Sequence, residues 1–337
     1  MLSKVFRGEV WDNTDEYVLS EIIRVNREAV DGKVGQDRYT AKATAYLQSF
    51  FDQEISVLYT INGTAANIVA LKAMLDRCGS VICAGEAHIN THECGALEYN
   101  LGNKILAVPT EDAKLTPPII DRLLMETKSY GYYPQVIAIT QPTELGTLYT
   151  IDELKALAIY AHDHGMKLFI DGARLGAALA ALGCTLREMI TETGVDVFTV
   201  GGTKAGAMFG EAVVFTDKRL LPAGEYLLKQ SMQHFDKSKF LGVQMSALFE
   251  NDRWIKNFSH ANEMAKLLET ELGKKGIAPC LPVQTNMMFC VIEEDILNQM
   301  REKYDLKYWI EDKKIVRIAT TFSTTSEDIT ALADCIK

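Results

Sequence analysis

VIAITQPTELGTLYTIDELKALAIYAHDHGMKLFID, residues 136–171, sets the architecture. It opens with an apolar run, VIAIT (136–140), and closes with another, KLFID (167–171). Both are built mainly of β-branched and aliphatic residues with no polar alternation, as strands buried on both faces require. Between them TIDELKALAIYAHDHG (150–165) predicts a helix. Thr150 and Glu153 form a Thr-x-x-Glu capping box at its start, and Gly165 is a stop at its end. Strand, helix, strand in this order is the crossover unit of a parallel sheet.

The same alternation runs outward in both directions. VLYTI (57–61), SVICA (80–84), KILAV (104–108), DVFTV (196–200) and EAVVF (211–215) bring the predicted strands to seven. TAANIVALKAMLDR (64–77) predicts another helix, with Thr64 as its N-cap candidate. The pattern predicts an α/β fold, a mostly parallel seven-stranded central sheet with helices on both faces. After Phe215 the texture changes. A long helix near 250–274, the run MMFCVI (287–292), a further helix, two short strands and a last helix from Ser326 predict a smaller α+β domain. The expected division is a helical arm over 1–45, containing the loop DGKVGQD (31–37), a large domain over 46–249 and a small C-terminal domain over 250–337.

Composition bounds the function. The 337 residues leave room for about two domains. Hydrophobic residues at 47% and charged residues at 24% exclude a disordered or collagen-like chain. Acidic residues outnumber basic ones 45 to 35, which argues against a nucleic-acid partner. Seven cysteines, an odd number with no C-x-x-C, read as reduced thiols of a cytoplasmic protein. The N-terminus has no apolar signal region, and no apolar stretch reaches the 18 or so residues of a membrane span. No dinucleotide-binding glycine motif, Walker A, G-x-S-x-G or H-E-x-x-H occurs. His88 and His92 lack the further ligands a metal needs, so no metal is expected.

Four features fall at the C-terminal ends of predicted strands, where open α/β sheets bind ligands. Asn62-Gly63-Thr64-Ala65 opens a helix whose free N–H groups suit a phosphate. His88 follows SVICA and can stack on a flat ring or act as a base. Asp171 ends KLFID, where a carboxylate needs a partner: a protonated ring nitrogen, or Arg174 three residues on. Lys204 sits in Gly-Gly-Thr-Lys-Ala-Gly (201–206), among small residues that leave room for a bulky group. A lysine so placed can be a Schiff-base amine or simply a solvated loop residue. Phosphate cradle, ring stacker, acid and lysine together are what pyridoxal phosphate requires.

On these motifs the chain resembles the fold type I pyridoxal-phosphate enzymes of the β-eliminating lyase and threonine aldolase family, above all its bacterial low-specificity L-threonine aldolase branch. The similar stretches include 138–179, 199–215, LFENDRWIKNFSHANEMA (248–265) and VRIATTFSTTSEDI (316–329). The resemblance implies a lyase with pyridoxal phosphate bonded to Lys204, its ring nitrogen on Asp171 and its ring under His88. It implies that Gly63, Thr64, Ala65 and Thr203 hold the phosphate, and that Arg174 and Arg317 grip the substrate carboxylate. Lys239 stands where relatives carry an arginine that reaches a phosphate across a subunit interface, and a homodimer or homotetramer is implied. Three departures lie on the substrate side. Trp11-Asp12-Asn13 replaces a Ser-Asp-Asn motif, with Asp12 as the substrate-side acid; Val34 replaces a tyrosine; Glu144 stands where some aldolases have a histidine. The expected reaction is retro-aldol cleavage of a β-hydroxy-α-amino acid, L-threonine or L-allo-threonine, to glycine and an aldehyde, with His88 or a water it positions as the base. The alternatives are β-elimination or other chemistry at Cα of a different amino acid, and a non-catalytic binding protein of the same fold.

Overall fold

The computed structural model describes residues 6–29, 35–221 and 224–336. Val34 lies outside them. The large sheet is formed by β1 (Ser56–Thr60), β2 (Ser80–Ala84), β3 (Lys104–Val108), β4 (Pro134–Thr140), β5 (Lys167–Asp171), β6 (Val197–Gly201) and β7 (Glu211–Phe215). Its order is β1-β7-β6-β5-β4-β2-β3. The pairs among β2 to β6 are parallel. β7 alone is reversed, antiparallel to both β6 and β1. Each sequence-predicted strand is present, with ends shifted by two residues at most.

The apolar runs are explained by burial on both faces. Leu168, Ile170, Phe198 and Val200 join one core, with Trp254 and Phe258 of the helix Arg253–Lys274. The alternating residues Phe169, Val197, Val213 and Phe215 join the other, under the helix Gly63–Met74. Side chains two apart share a face, so a strand covered on both sides has no polar position to spare. Cys83 is in the second core, and burial pushes its thiol up to about 12.

Two helix starts contrast. The capping box at Thr150 forms as expected: its hydroxyl accepts the Glu153 N–H, and the Glu153 carboxylate accepts the Thr150 N–H. Thr64, expected to cap the helix Gly63–Met74, does not. Asn62 is the cap, its side chain accepting the Ala65 N–H at 2.9 Å. Asn62 is extended, while Gly63 already adopts the helix, so the cap falls one residue before the glycine.

A second sheet is antiparallel, in the order β8 (Met287–Val291), β10 (Ile315–Ala319), β9 (Tyr308–Ile310). Val316 and Ile318 point into its own core, together with Phe6 of the arm and Leu268 of the long helix. Alternation turns Arg317 to the opposite face, where Phe289 and Trp309 also lie. Among the described residues no helix is long and apolar enough to cross a membrane.

Candidate active site

The C-terminal ends of β4, β5 and β6, the start of the helix Gly63–Met74, the arm and the outer face of the small sheet enclose a cavity of about 200 Å³. Its walls bring together Gly63, His88, Asp171, Arg174, Lys204 and Arg317, six of the residues expected from sequence.

Lys204 is in the single turn Thr203–Ala205 that reverses the chain between β6 and β7. Two glycines make the turn possible. A Cβ on Gly201 would lie 2.1 Å from the Ala173 carbonyl oxygen. Gly206 has φ +120°, and a Cβ there would lie 2.9 Å from Cβ of Asp15. The Lys204 amine has no hydrogen-bond or ion-pair partner among the described residues. Burial lowers its pKa, and the Arg174 charge lowers it further. Such an amine spends more of its time as a nucleophile than an exposed one. Beneath the turn, the buried Glu211 carboxyl accepts the Gly202 N–H at 3.0 Å, and burial raises its pKa to about 7.

Asp171 ends β5 and is buried. It accepts the Asn67 amide at 2.8 Å and the Ala173 N–H at 3.0 Å. The ion pair with Arg174 that its sequence neighbourhood offers does not form. Arg174 turns instead to Glu9 of the arm, with Nε to Oε1 at 2.5 Å and Nη2 to Oε2 at 2.9 Å. Asn286 donates a third bond to Glu9, at 2.8 Å. Burial pushes the Glu9 pKa up, but Arg174, Lys204 and Asn286 together outweigh it and hold the carboxyl well below the usual range.

The Asn67 amide also donates to Glu93 at 2.8 Å, and the same Glu93 oxygen meets Nδ1 of His88 at 2.7 Å. His88 is thereby fixed through Glu93 and Asn67 to Asp171. His92 stacks between His88, at 5.5 Å, and Trp309, at 5.0 Å between centroids. Arg317 lies over Trp309 at 4.2 Å and donates to the Arg7 carbonyl at 2.6 Å. Burial and the Arg174 charge lower its pKa to about 10, still a cation at neutral pH.

At Gly63 a Cβ would meet nothing within 4 Å, so open space lies before the helix start. Ala65 N–H is taken by Asn62, while Gly63 and Thr64 have N–H groups with no intrahelical acceptor. An anion there, a cationic ring atom at Asp171 and an electrophile at Lys204 would each meet a complementary group.

Other expected residues lie elsewhere. Thr64, Ala65 and Thr203 adjoin lining residues but are not in the cavity wall. Asp12 bonds the hydroxyls of Thr321 and Ser323 and ties the arm to the loop after β10. The arm residues at the cavity are Gly8, Glu9 and Val10, not Trp11 to Asn13, and Trp11 is exposed. Lys239 donates to the carbonyls of Val25 and Glu28, at the C-terminal end of the helix Glu16–Asn26, where a cation meets orphaned acceptors. Sequence reading missed Glu9, Asn67, Glu93 and Trp309. Asn67, three residues into the helix from Thr64, was the one it could have found, since it lies on the strand-end side of a helix already singled out.

The chain matches the family model described as beta-eliminating lyase over residues 20–295. It is 38% identical over 272 residues to the low specificity L-threonine aldolase of Pseudomonas sp. (strain NCIMB 10558), covering 80% of this chain and 79% of that one. It is 36% identical over 306 residues to the enzyme of the same name from Pseudomonas aeruginosa, covering 90% and 88%. A solved structure of Leishmania major threonine aldolase superposes with a TM-score of 0.92 at 29% identity, covering 98% of each chain.

Proposed function

The chain belongs to the beta-eliminating lyase family, and on that premise we propose that it is a pyridoxal-phosphate-dependent lyase cleaving L-threonine or L-allo-threonine to glycine and acetaldehyde. The observation that carries this is the unpartnered, desolvated Lys204 amine facing the same cavity as the Asp171 carboxylate. When bound, the cofactor supplies a sink for the electron pair released at Cα.

The residues divide the remaining work. Lys204 would hold the cofactor through its aldehyde. Asp171 would hold the cofactor's ring nitrogen. Its carboxylate is set in place by two donors, the Asn67 amide and the Ala173 N–H. Gly63 and Thr64, whose N–H groups have no intrahelical acceptor, would receive the phosphate at the helix start, with Ala65 and Thr203 beside them. His88, fixed by Glu93, covers the ring. Arg317 is the principal grip on the substrate carboxylate, since Glu9 already takes two of the five donors of Arg174; Arg174 adds those that remain. Holding the carboxylate sets which bond at Cα faces the sink. Net cleavage moves one proton from the β-hydroxyl to Cα, and the Cα–Cβ pair stays with Cα.

The protein works as a dimer or larger, with Lys239 near a neighbouring site. The cysteines are all free, as in the reducing cytoplasm. The test is product analysis by NMR after incubation with pyridoxal phosphate and each threonine diastereomer. Glycine plus acetaldehyde is expected. Release of 2-oxobutyrate and ammonia would make the enzyme an eliminating lyase, and no turnover of either amino acid would overturn the substrate assignment.

A further inference from the structure

Glu144 is a half-buried residue in the cavity wall whose carboxyl has no ion-pair partner among the described residues. It belongs to a rigid turn after β4, where Thr143 and Thr147 bond through backbone (2.9 Å) and hydroxyls (2.7 Å), and Gln141 is tied to Tyr149. One oxygen, Oε1, is occupied twice: it accepts the His88 N–H at 2.7 Å and the Thr140 hydroxyl at 2.9 Å. The other, Oε2, has no partner on another described residue. Glu144 also lines a second cavity, of about 410 Å³, together with His92 and Trp309. It therefore stands at the junction of the two spaces, with one oxygen anchored and one open. His88 is differently placed, because its Nδ1 is already committed to Glu93.

We propose that Glu144, through Oε2, is the base that takes the β-hydroxyl proton, leaving His88 as the ring-covering residue. This rests on the lyase reading above. In the step the O–H proton passes to the carboxylate, the O–H electron pair becomes the second C=O bond of the aldehyde, and the Cα–Cβ pair remains on Cα. The charged and titratable groups around Glu144 are Asp171, Arg174 and His88 in the first cavity's wall, Cys83 and Tyr149 in the packed cores, and Glu86, Glu111, His92 and Lys313 around the second cavity. Burial, then the Asp171 charge, raises the Glu144 pKa to about 7. The base is thus ionised above neutrality, and kcat/KM should rise with pH through about 7.

The test is Glu144→Gln in the cofactor-loaded enzyme, which keeps an acceptor for His88 and Thr140. Three readouts are compared with wild type: visible absorbance of the bound cofactor, exchange of the glycine α-proton into deuterium oxide, and threonine cleavage against pH. Glycine exchange uses the same cofactor and lysine but no hydroxyl. Absorbance and exchange should stay near wild type, within about threefold. Cleavage should fall on the order of 100-fold or more in kcat with KM nearly unchanged, and the limb near pH 7 should vanish. Glu144→Asp should recover part of the rate and the limb. E144Q cleaving within about fivefold of wild type with its limb intact would overturn the assignment, and so would loss of exchange in parallel with cleavage. If wild type exchanges glycine but cleaves neither threonine, the lyase reading falls and the base assignment with it. If wild type cleaves and E144Q matches it, only the base assignment falls.

Discussion

Replacing Glu9 by alanine would leave the Arg174 guanidinium without its carboxylate. Both side chains are nearly sealed, Arg174 at 11% and Glu9 at 1% exposure, so water from the cavity they line replaces the lost acid only in part. Removing one partner of a buried pair costs about 3–5 kcal/mol, because the other charge stays desolvated. At roughly 2.1 cal/mol/K per residue, 337 residues give an unfolding entropy of about 0.7 kcal/mol/K, so Tm should fall by about 4–7 °C. The assay is thermal unfolding of the cofactor-free protein at pH 7, with Glu9→Ala/Arg174→Met as the companion variant. The double variant removes both charges and should recover much of the loss. The pH dependence has a definite sign. The folded Glu9 pKa is depressed, so its stabilisation is complete above the ordinary glutamate pKa of about 4.3 and is lost as pH falls below it. The gap between wild type and Glu9→Ala should therefore close on acidification. A Tm loss under about 1 °C at pH 7, or a double variant no more stable than the single one, would refute the reasoning.

Three further outcomes follow from the site. Lys204→Ala should lose the visible absorbance band that pyridoxal phosphate gives with the wild type; a retained band would show that another amine holds the aldehyde. Arg317→Lys keeps the charge but loses the planar fork over Trp309, and KM for threonine should rise about 10-fold or more while cofactor affinity, read by absorbance titration, holds. Gly63→Ala places its methyl in open space, so Tm should stay within about 1 °C, but the cofactor should bind on the order of 10-fold more weakly because the methyl takes space before the helix start.

The large sheet was legible because strands buried on both faces need unbroken apolar runs, and seven such runs alternate with helical segments between Val57 and Phe215. Asp171 and Lys204 were legible for a related reason: each interrupts or follows such a run at the end where a ligand binds. Glu9 was not. It meets Arg174 across 165 positions and Asn286 across 277, and no local pattern encodes a contact of that span. The arm around it is irregular, so no periodicity fixes which of its acids turns inward, and Asp12 was expected where Glu9 lies. Trp309 sits on a three-residue strand, too short for alternation to show which face it presents. Glu93 joins the site through His88 and through the Asn67 bridge to Asp171, and that bridge needs the packed fold.

The close packing at Gly201 and Gly206 determines how the lysine turn would respond to randomisation. A library over residues 199–210 selected only for soluble, folded protein should return glycine at both positions, because a methyl at either one meets the Ala173 carbonyl or Asp15. The same would hold in a background where Lys204 had already been replaced. Retention of the two glycines therefore reports foldability, whereas retention of the lysine reports chemistry. A descendant of this chain that abandoned the reaction would drift at Lys204 first and keep the glycines on either side of it.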